Sequence, residues 1–279
     1  KRIIYVTVVV VAALILTVTL ILFFPHQSSQ PKAAIIDQLN SSQLSDVSRF
    51  PNQTFIETAK RLLDQRFPEV DYYSDNATVD QYKHLPSLGY KLIVWRVHSA
   101  VDPEHYVAIS SSERYVEGKY AQYSEDQLTL CKIKDDPITY FAITPDFVKH
   151  CMDGRFEDTV IIFMSCNGLN PEYYKTAETF IEKGAKVFIS WDGWIRSSDN
   201  DNAITLLLQY LINDNNTISE AVNKIPKYRY EEGYPLSRLG YYPTEIADYC
   251  IPNYKQSNVA SNAGFVTITI LRKNFRRES

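Results

Sequence analysis

The chain is short of several things, and each shortage excludes a class. It has 9 Gly and 13 Pro in 279 residues, too few for a collagen-like or low-complexity segment. It has no excess of positive charge. Its 29 Lys and Arg stand against 33 Asp and Glu, a formal net charge of −4, which argues against nucleic acid or an anionic lipid surface as partner. No His, Cys, Asp or Glu cluster has metal-ligand spacing and no glycine-rich phosphate loop occurs, so neither a metal nor another cofactor is expected. Tyrosine is the opposite case, at 20 residues against 3 Trp and 2 Met, with many crowded between Tyr228 and Tyr254.

One long uncharged apolar run is present, over residues 3–24, close to the ~20 residues that cross a hydrocarbon core as a helix. Lys1 and Arg2 precede it and no basic residue follows until Lys32, so the positive-inside bias predicts a single-pass anchor, its N-terminus cytoplasmic and its body external. A cleaved signal peptide fits less well, because the run exceeds the usual ~7–15-residue apolar region and no small-x-small site follows Phe24. An external body suits four glycosylation triplets: Asn40-Ser41-Ser42, Asn52-Gln53-Thr54, Asn76-Ala77-Thr78 and Asn215-Asn216-Thr217. It also allows disulfides among Cys131, Cys151, Cys166 and Cys250. Spacing does not fix their connectivity, and Cys131 with Cys151 is a candidate pair.

Past the anchor, residues 25–50 read as a linker followed by a stem helix from Ala33, and residues 51–272 as one α/β domain before a charged tail over 273–279. Phe55, Ile56, Ala59, Leu62, Leu63 and Phe67 recur at helical spacing. Residues 91–97, 159–165 and 185–191 are short apolar runs bounded by turn residues, hence strands, with a weaker candidate over 70–73 and a last strand over 264–271. Between them, Asn170-Pro171 and Gly184 bracket one helix, and Thr217 with Glu220 forms a capping-box pattern for another. This β-α order predicts a mostly parallel sheet with helices on both faces. Residues 105–110 and 114–120 read as an inserted hairpin.

In open α/β sheets, chemistry gathers at the carboxyl ends of the strands. There the strand ending at Val97 delivers His98, the strand ending at Ser165 delivers Cys166, and the strand ending at Trp191 delivers Asp192. A thiol nucleophile needs a base, and an imidazole beside it can take the proton and return it to the leaving amine. The amides of Cys166 and of Ser99 or Gly168 are candidate donors to the developing oxyanion. Against this, a lone Cys after an apolar strand is commonly a small core residue, and a lone His at a strand end is commonly a hydrogen-bonded structural residue.

Arg96-Val97-His98-Ser99, then Ile161 to Ser165-Cys166-Asn167-Gly168, then Phe180 through Gly184-Ala185 to Trp191-Asp192-Gly193, resemble the caspase-like cysteine peptidases, the group of clostripain, gingipain, separase and the CHAT domains. The likeness spans residues 68–224. It implies a protein or peptide substrate, His98 as general base, Cys166 as nucleophile, and the strand ending at Asp192 as a wall of the specificity pocket, where a carboxylate suits a basic P1 side chain. Two departures stand out. Ser99 takes the place where the family usually has glycine, and the His-to-Cys interval exceeds the ~50 residues of caspases, which an inserted hairpin would explain. Asp199 and Asp201, on the same loop, are read as helix caps, and His105 and His150 as structural or surface residues.

Overall fold

The computed structural model describes residues 30–102 and 104–255, so the expected anchor over 3–24, strand over 264–271 and tail over 273–279 lie outside the described residues. Among the described residues no helix is long and apolar enough to cross a membrane. In chain order the elements are β1 (Lys32–Asp37), α1 (Gln53–Leu63), β2 (Val70–Tyr73), α2 (Val79–His84), β3 (Tyr90–Arg96), β4 (Ser99–Asp102), β5 (Tyr106–Arg114), β6 (Leu128–Lys132), β7 (Thr139–Ile143), α3 (Pro145–His150), β8 (Thr159–Met164), α4 (Lys175–Glu182), β9 (Ala185–Trp191), α5 (Ser197–Leu208), α6 (Ile218–Asn223), β10 (Tyr228–Arg229), β11 (Leu236–Ser237) and β12 (Leu239–Tyr242).

These elements build a mixed α/β protein around a six-stranded sheet of order β12-β9-β8-β3-β1-β2, parallel except for the antiparallel edge pair β9–β12. Its central strands are apolar on both sides because both faces are covered. Ala33, Ile35, Leu92, Val94, Val160, Ile162, Val187 and Ile189 pack with α1, α5 and α6, while Ala34, Ile36, Ile93, Trp95, Ile161, Phe163 and Phe188 pack with α2, α3 and α4. Successive residues of one strand thus enter opposite cores, as the strand period of two requires.

The segment from Ala33, expected as a stem helix outside the body, is instead β1, and the body begins before residue 50. Ala33, Ala34, Ile35 and Ile36 are all fully buried, and β1 lies between β2 and β3 in the sheet. A short apolar run whose residues are buried on both faces has no amphipathic period to separate strand from helix. The inserted hairpin is also larger than expected. Arg114 ends β5 and residues 115–120 are a loop, and β4 and β5 join β6 and β7 in a second, antiparallel sheet of order β4-β5-β7-β6. The helix expected from Asn170 starts at Lys175, because the Asn170 side chain instead accepts the Glu172 amide in a turn (3.0 Å). It does end at Gly184, whose φ of +106° and close approach to the Phe156 carbonyl exclude a side chain. Thr217 and Glu220 form the capping box as read.

One charged cluster sits inside this frame. Arg96, 1% exposed, faces Asp37 across the β1–β3 register and donates to its Oδ1 at 2.8 Å. Its Nε and Nη2 meet the two oxygens of Asp201 at 2.7 and 2.8 Å, and Nη2 also reaches the Phe50 carbonyl at 2.7 Å. Asp201 is therefore a buried ion-pair partner, not a helix cap. Removing one member of a buried ionic group leaves the others uncompensated. Arg96→Met is expected to cost about 3–5 kcal/mol, measured by denaturant unfolding, with α1 and α5 losing hydrogen-exchange protection first.

Candidate functional site

His98 and Cys166 leave neighbouring parallel strands at corresponding positions. Arg96 pairs with Met164, and the Val97 amide continues the ladder to the Met164 carbonyl at 3.4 Å, so the two residues follow at the same edge of the sheet. The His98 backbone amide donates to Oε1 of the buried Gln38 at 3.0 Å. Its Nε2 lies 2.8 Å from the Ser48 carbonyl. A carbonyl only accepts, so Nε2 carries the hydrogen and the neutral ring keeps Nδ1 as its proton acceptor. The Phe50 ring sits edge-on to the imidazole at 5.8 Å. Burial lowers the His98 pKa from its ordinary 6.5 and Arg96 adds to the lowering, while Ser48 and Asp136 oppose it, so the imidazole is neutral at pH 7.

Among the described residues Cys166 makes no hydrogen bond to His98. Its Sγ donates to the Ile195 carbonyl at 3.6 Å, and burial pushes its thiol up to about 11. The resting pair is thus neutral thiol and neutral imidazole, not a thiolate–imidazolium pair. The two strand ends are tied through their serines: Ser165 Oγ donates to Ser99 Oγ at 2.6 Å, and Ser99 Oγ donates to the Cys166 carbonyl at 2.9 Å.

The candidate oxyanion donors divide by what already binds them. The amides of Asn167 and Leu169 are occupied by the carbonyls of Gly193 and Trp191, both at 2.9 Å. Among the described residues, no acceptor is found for the amides of Cys166 and Gly168. Ser110 donates to the His98 carbonyl at 3.0 Å, which makes the next pair, Ser99 with Ile109, a non-hydrogen-bonded position and turns the Ser99 amide away from β5. Serine thus supplies this amide where the family resemblance implied glycine. Gly168 has its own constraint, since a Cβ there would fall 2.3 Å from Ser190 Oγ and 2.8 Å from the Phe163 ring.

Asp192 is only half available. Its Oδ1 accepts the Arg238 amide at 2.6 Å and its own amide donates back to the Arg238 carbonyl at 3.0 Å, pinning the end of β9 to the segment between β11 and β12. Beside it stands an aromatic surface that the sequence flagged only as tyrosine crowding. Trp194 (40% exposed) packs on Tyr230, which packs on Tyr234, with exposed Leu236 on the same hairpin. Tyr230 is close enough to Cys166 that a thiolate there would join burial and Glu231 in raising the phenol pKa.

Other candidates do not join the site. All four cysteines are free thiols, so Cys131 on β6 and Cys151 after α3 are not bonded. Asn52 is the N-cap of α1 and also donates to Asp201 at 2.8 Å, and Asn215 accepts from Arg66 at 2.9 Å. Of the four triplet asparagines, Asn76 lies exposed in a turn. A groove of about 380 Å³ between α1 and α5, lined by Thr54, Thr58, Thr205 and Gln209, contains neither His98 nor Cys166. Among the described residues no group of His, Cys, Asp and Glu could hold a metal ion. No protein-family model matches the chain, and no curated protein is similar to it.

Ser48, Gln38 and Ile195 are the contributors that sequence reading missed. Ser48 and Ile195 act through backbone carbonyls, which carry no side-chain signature, and Gln38 sat in a segment read as stem. With its thiol pushed up to about 11, Cys166 is expected to react with iodoacetamide at pH 8 about tenfold more slowly than a free thiol, its rate still rising toward pH 11. Mass spectrometry of the Cys166 peptide over a pH series measures this.

Proposed function

We propose that the chain is a cysteine endopeptidase of the caspase-like type, carried outside the cell on an anchor over residues 3–24. The observation that carries the reading is His98 Nε2 fixed on a carbonyl beside a cysteine at the matching strand end, which leaves Nδ1 to serve as base. As Sγ attacks the substrate carbonyl, its proton passes to Nδ1, and the amides of Ser99, Cys166 and Gly168 are the donors toward the oxyanion. The C–N bond breaks and the amine leaves with that proton. Water then attacks the thioester, gives a proton to Nδ1, and the proton returns to sulfur as the acid product departs. The neutral resting thiol makes this a general-base reaction, in which thiolate character appears only with substrate in place.

The P1 residue has two candidate partners: the free oxygen of Asp192 for a basic side chain, and the Trp194–Tyr230–Tyr234 surface for an apolar one. One observation favours a second reading. The Cys166 thiol donates to Ile195, not to His98, and is hard to ionise, which suits a caspase-like module that binds without cleaving.

A fluorogenic peptide panel with Arg, Lys, Asp, Asn, Leu or Phe at P1 tests the reading. Hydrolysis is expected, falling at least about a hundredfold in Cys166→Ala and in His98→Ala, and declining as pH drops below 6.5, where His98 takes up its proton. A peptidyl chloromethyl ketone is expected to label Cys166 only while His98 is present. Absence of both cleavage and labelling would leave the binding module.

A further inference from the structure

Asp136, on the turn between β6 and β7, is 2% exposed, and no step of the dyad chemistry above calls on it. A buried carboxylate is costly unless paired or fully hydrogen-bonded, and among the described residues no cation pairs with this one. Its Oδ2 accepts from the hydroxyls of Ser45 (2.6 Å), Tyr140 (3.0 Å) and Ser48, the last through a very short contact. Its Oδ1 accepts the Ile138 amide at 2.8 Å. Tyr140 in turn accepts the Ser45 amide at 3.0 Å. Residues 45–48 form no strand or α-helix of their own, yet one carboxylate of the second sheet grips them at both ends. Ser48 then presents its other polar group, the carbonyl, to His98 Nε2.

We propose that Asp136 is a positioning residue for His98: through Ser48 it fixes the tautomer that leaves Nδ1 free, and its charge supports the imidazolium that forms when the proton is taken. The inference rests on the reading of His98 as the base. The charged groups that face His98 are Arg96, which disfavours the imidazolium, and Asp136, which favours it, with the thiol of Cys166 on the neighbouring strand end. Burial acts to raise the Asp136 pKa, but its four donors prevail and hold it at about 2, so the clasp stays ionised throughout any titration of His98. Without that charge, the Ser48 carbonyl alone opposes burial and Arg96 at the imidazole. The His98 pKa then drops further and the base weakens.

The test uses the full-length chain with 15N-labelled histidine, comparing wild type with Asp136→Asn. Wild type is expected to show His98 as a single Nε2–H tautomer. The variant is expected to show a mixture of tautomers and a lower His98 pKa. On the best peptide of the panel it is expected to lose about tenfold in kcat with KM little changed, its acid limb moving to lower pH. An unchanged tautomer and titration in Asp136→Asn would overturn the proposal. Should that variant not fold, Ser48→Ala decides by the same readouts, since it removes the hydroxyl and keeps the carbonyl. The two readings fail separately. Tautomer and pKa need no turnover, so a shifted His98 without peptide cleavage keeps the positioning role and sinks the peptidase, while cleavage with an unshifted His98 does the reverse.

Discussion

The guanidinium of Arg96 is the point on which this architecture turns. It sits on the last residue of β3, two residues before His98, and binds Asp37 at the end of β1, Asp201 in α5 and the carbonyl of Phe50. One side chain thereby joins two parallel strands, a helix of one face and the loop that bears Ser48. Two carboxylates share one cation, and burial lifts Asp37 above its ordinary 3.8 even against the attraction of Arg96. Such a group adds little net stability over an apolar core, but its geometry is demanding, because any register slip between β1 and β3 would strand a charge in the interior.

From that anchor the surroundings of His98 and Cys166 follow by short steps. The loop leaving β1 supplies Gln38 to the His98 amide and Ser48 to its ring, so the N-terminal strand, which first reads as an external stem, shapes the candidate active site. Cys166 is governed from the other direction, by the loop after β9. Gly193 and Ile195 take the Asn167 amide and the Cys166 thiol, and that loop is fixed by Ser237 on Trp194 and by Asp192 on Arg238. His98 and Cys166 are therefore set by different parts of the fold. The β3–β8 ladder and the Ser165–Ser99–Cys166 hydroxyl bridge join the two strand ends, and among the described residues no hydrogen bond links the imidazole to the thiol.

What the sequence disclosed follows the range of the forces involved. β3, β8 and β9 were legible because an unbroken Val, Ile, Phe and Trp run between turn residues has one common use, a strand buried on both faces. The same logic failed for β1, where Lys-Ala-Ala-Ile-Ile-Asp is short and alanine-rich and follows a linker. The places of His98 and Cys166 were legible from topology, but their environment was not. Asp201 read as a cap because its partner Arg96 is 105 residues away, and the Ser48 carbonyl is 50 residues from His98. Contacts of that separation leave no local pattern.

The three tryptophans divide unequally. Trp95 and Trp191 have no exposed surface, and Trp191 spends its indole N–H on Asn200 at 2.9 Å, whereas Trp194 is exposed on the loop that holds the thiol. The protein consequently carries a native optical probe on that loop. Emission from the two buried indoles is blue-shifted and shielded from collisional quenchers, so the quenchable, red-edge component belongs to Trp194 alone. Whatever settles on the Trp194–Tyr230–Tyr234 surface will report its arrival in that component without any added label.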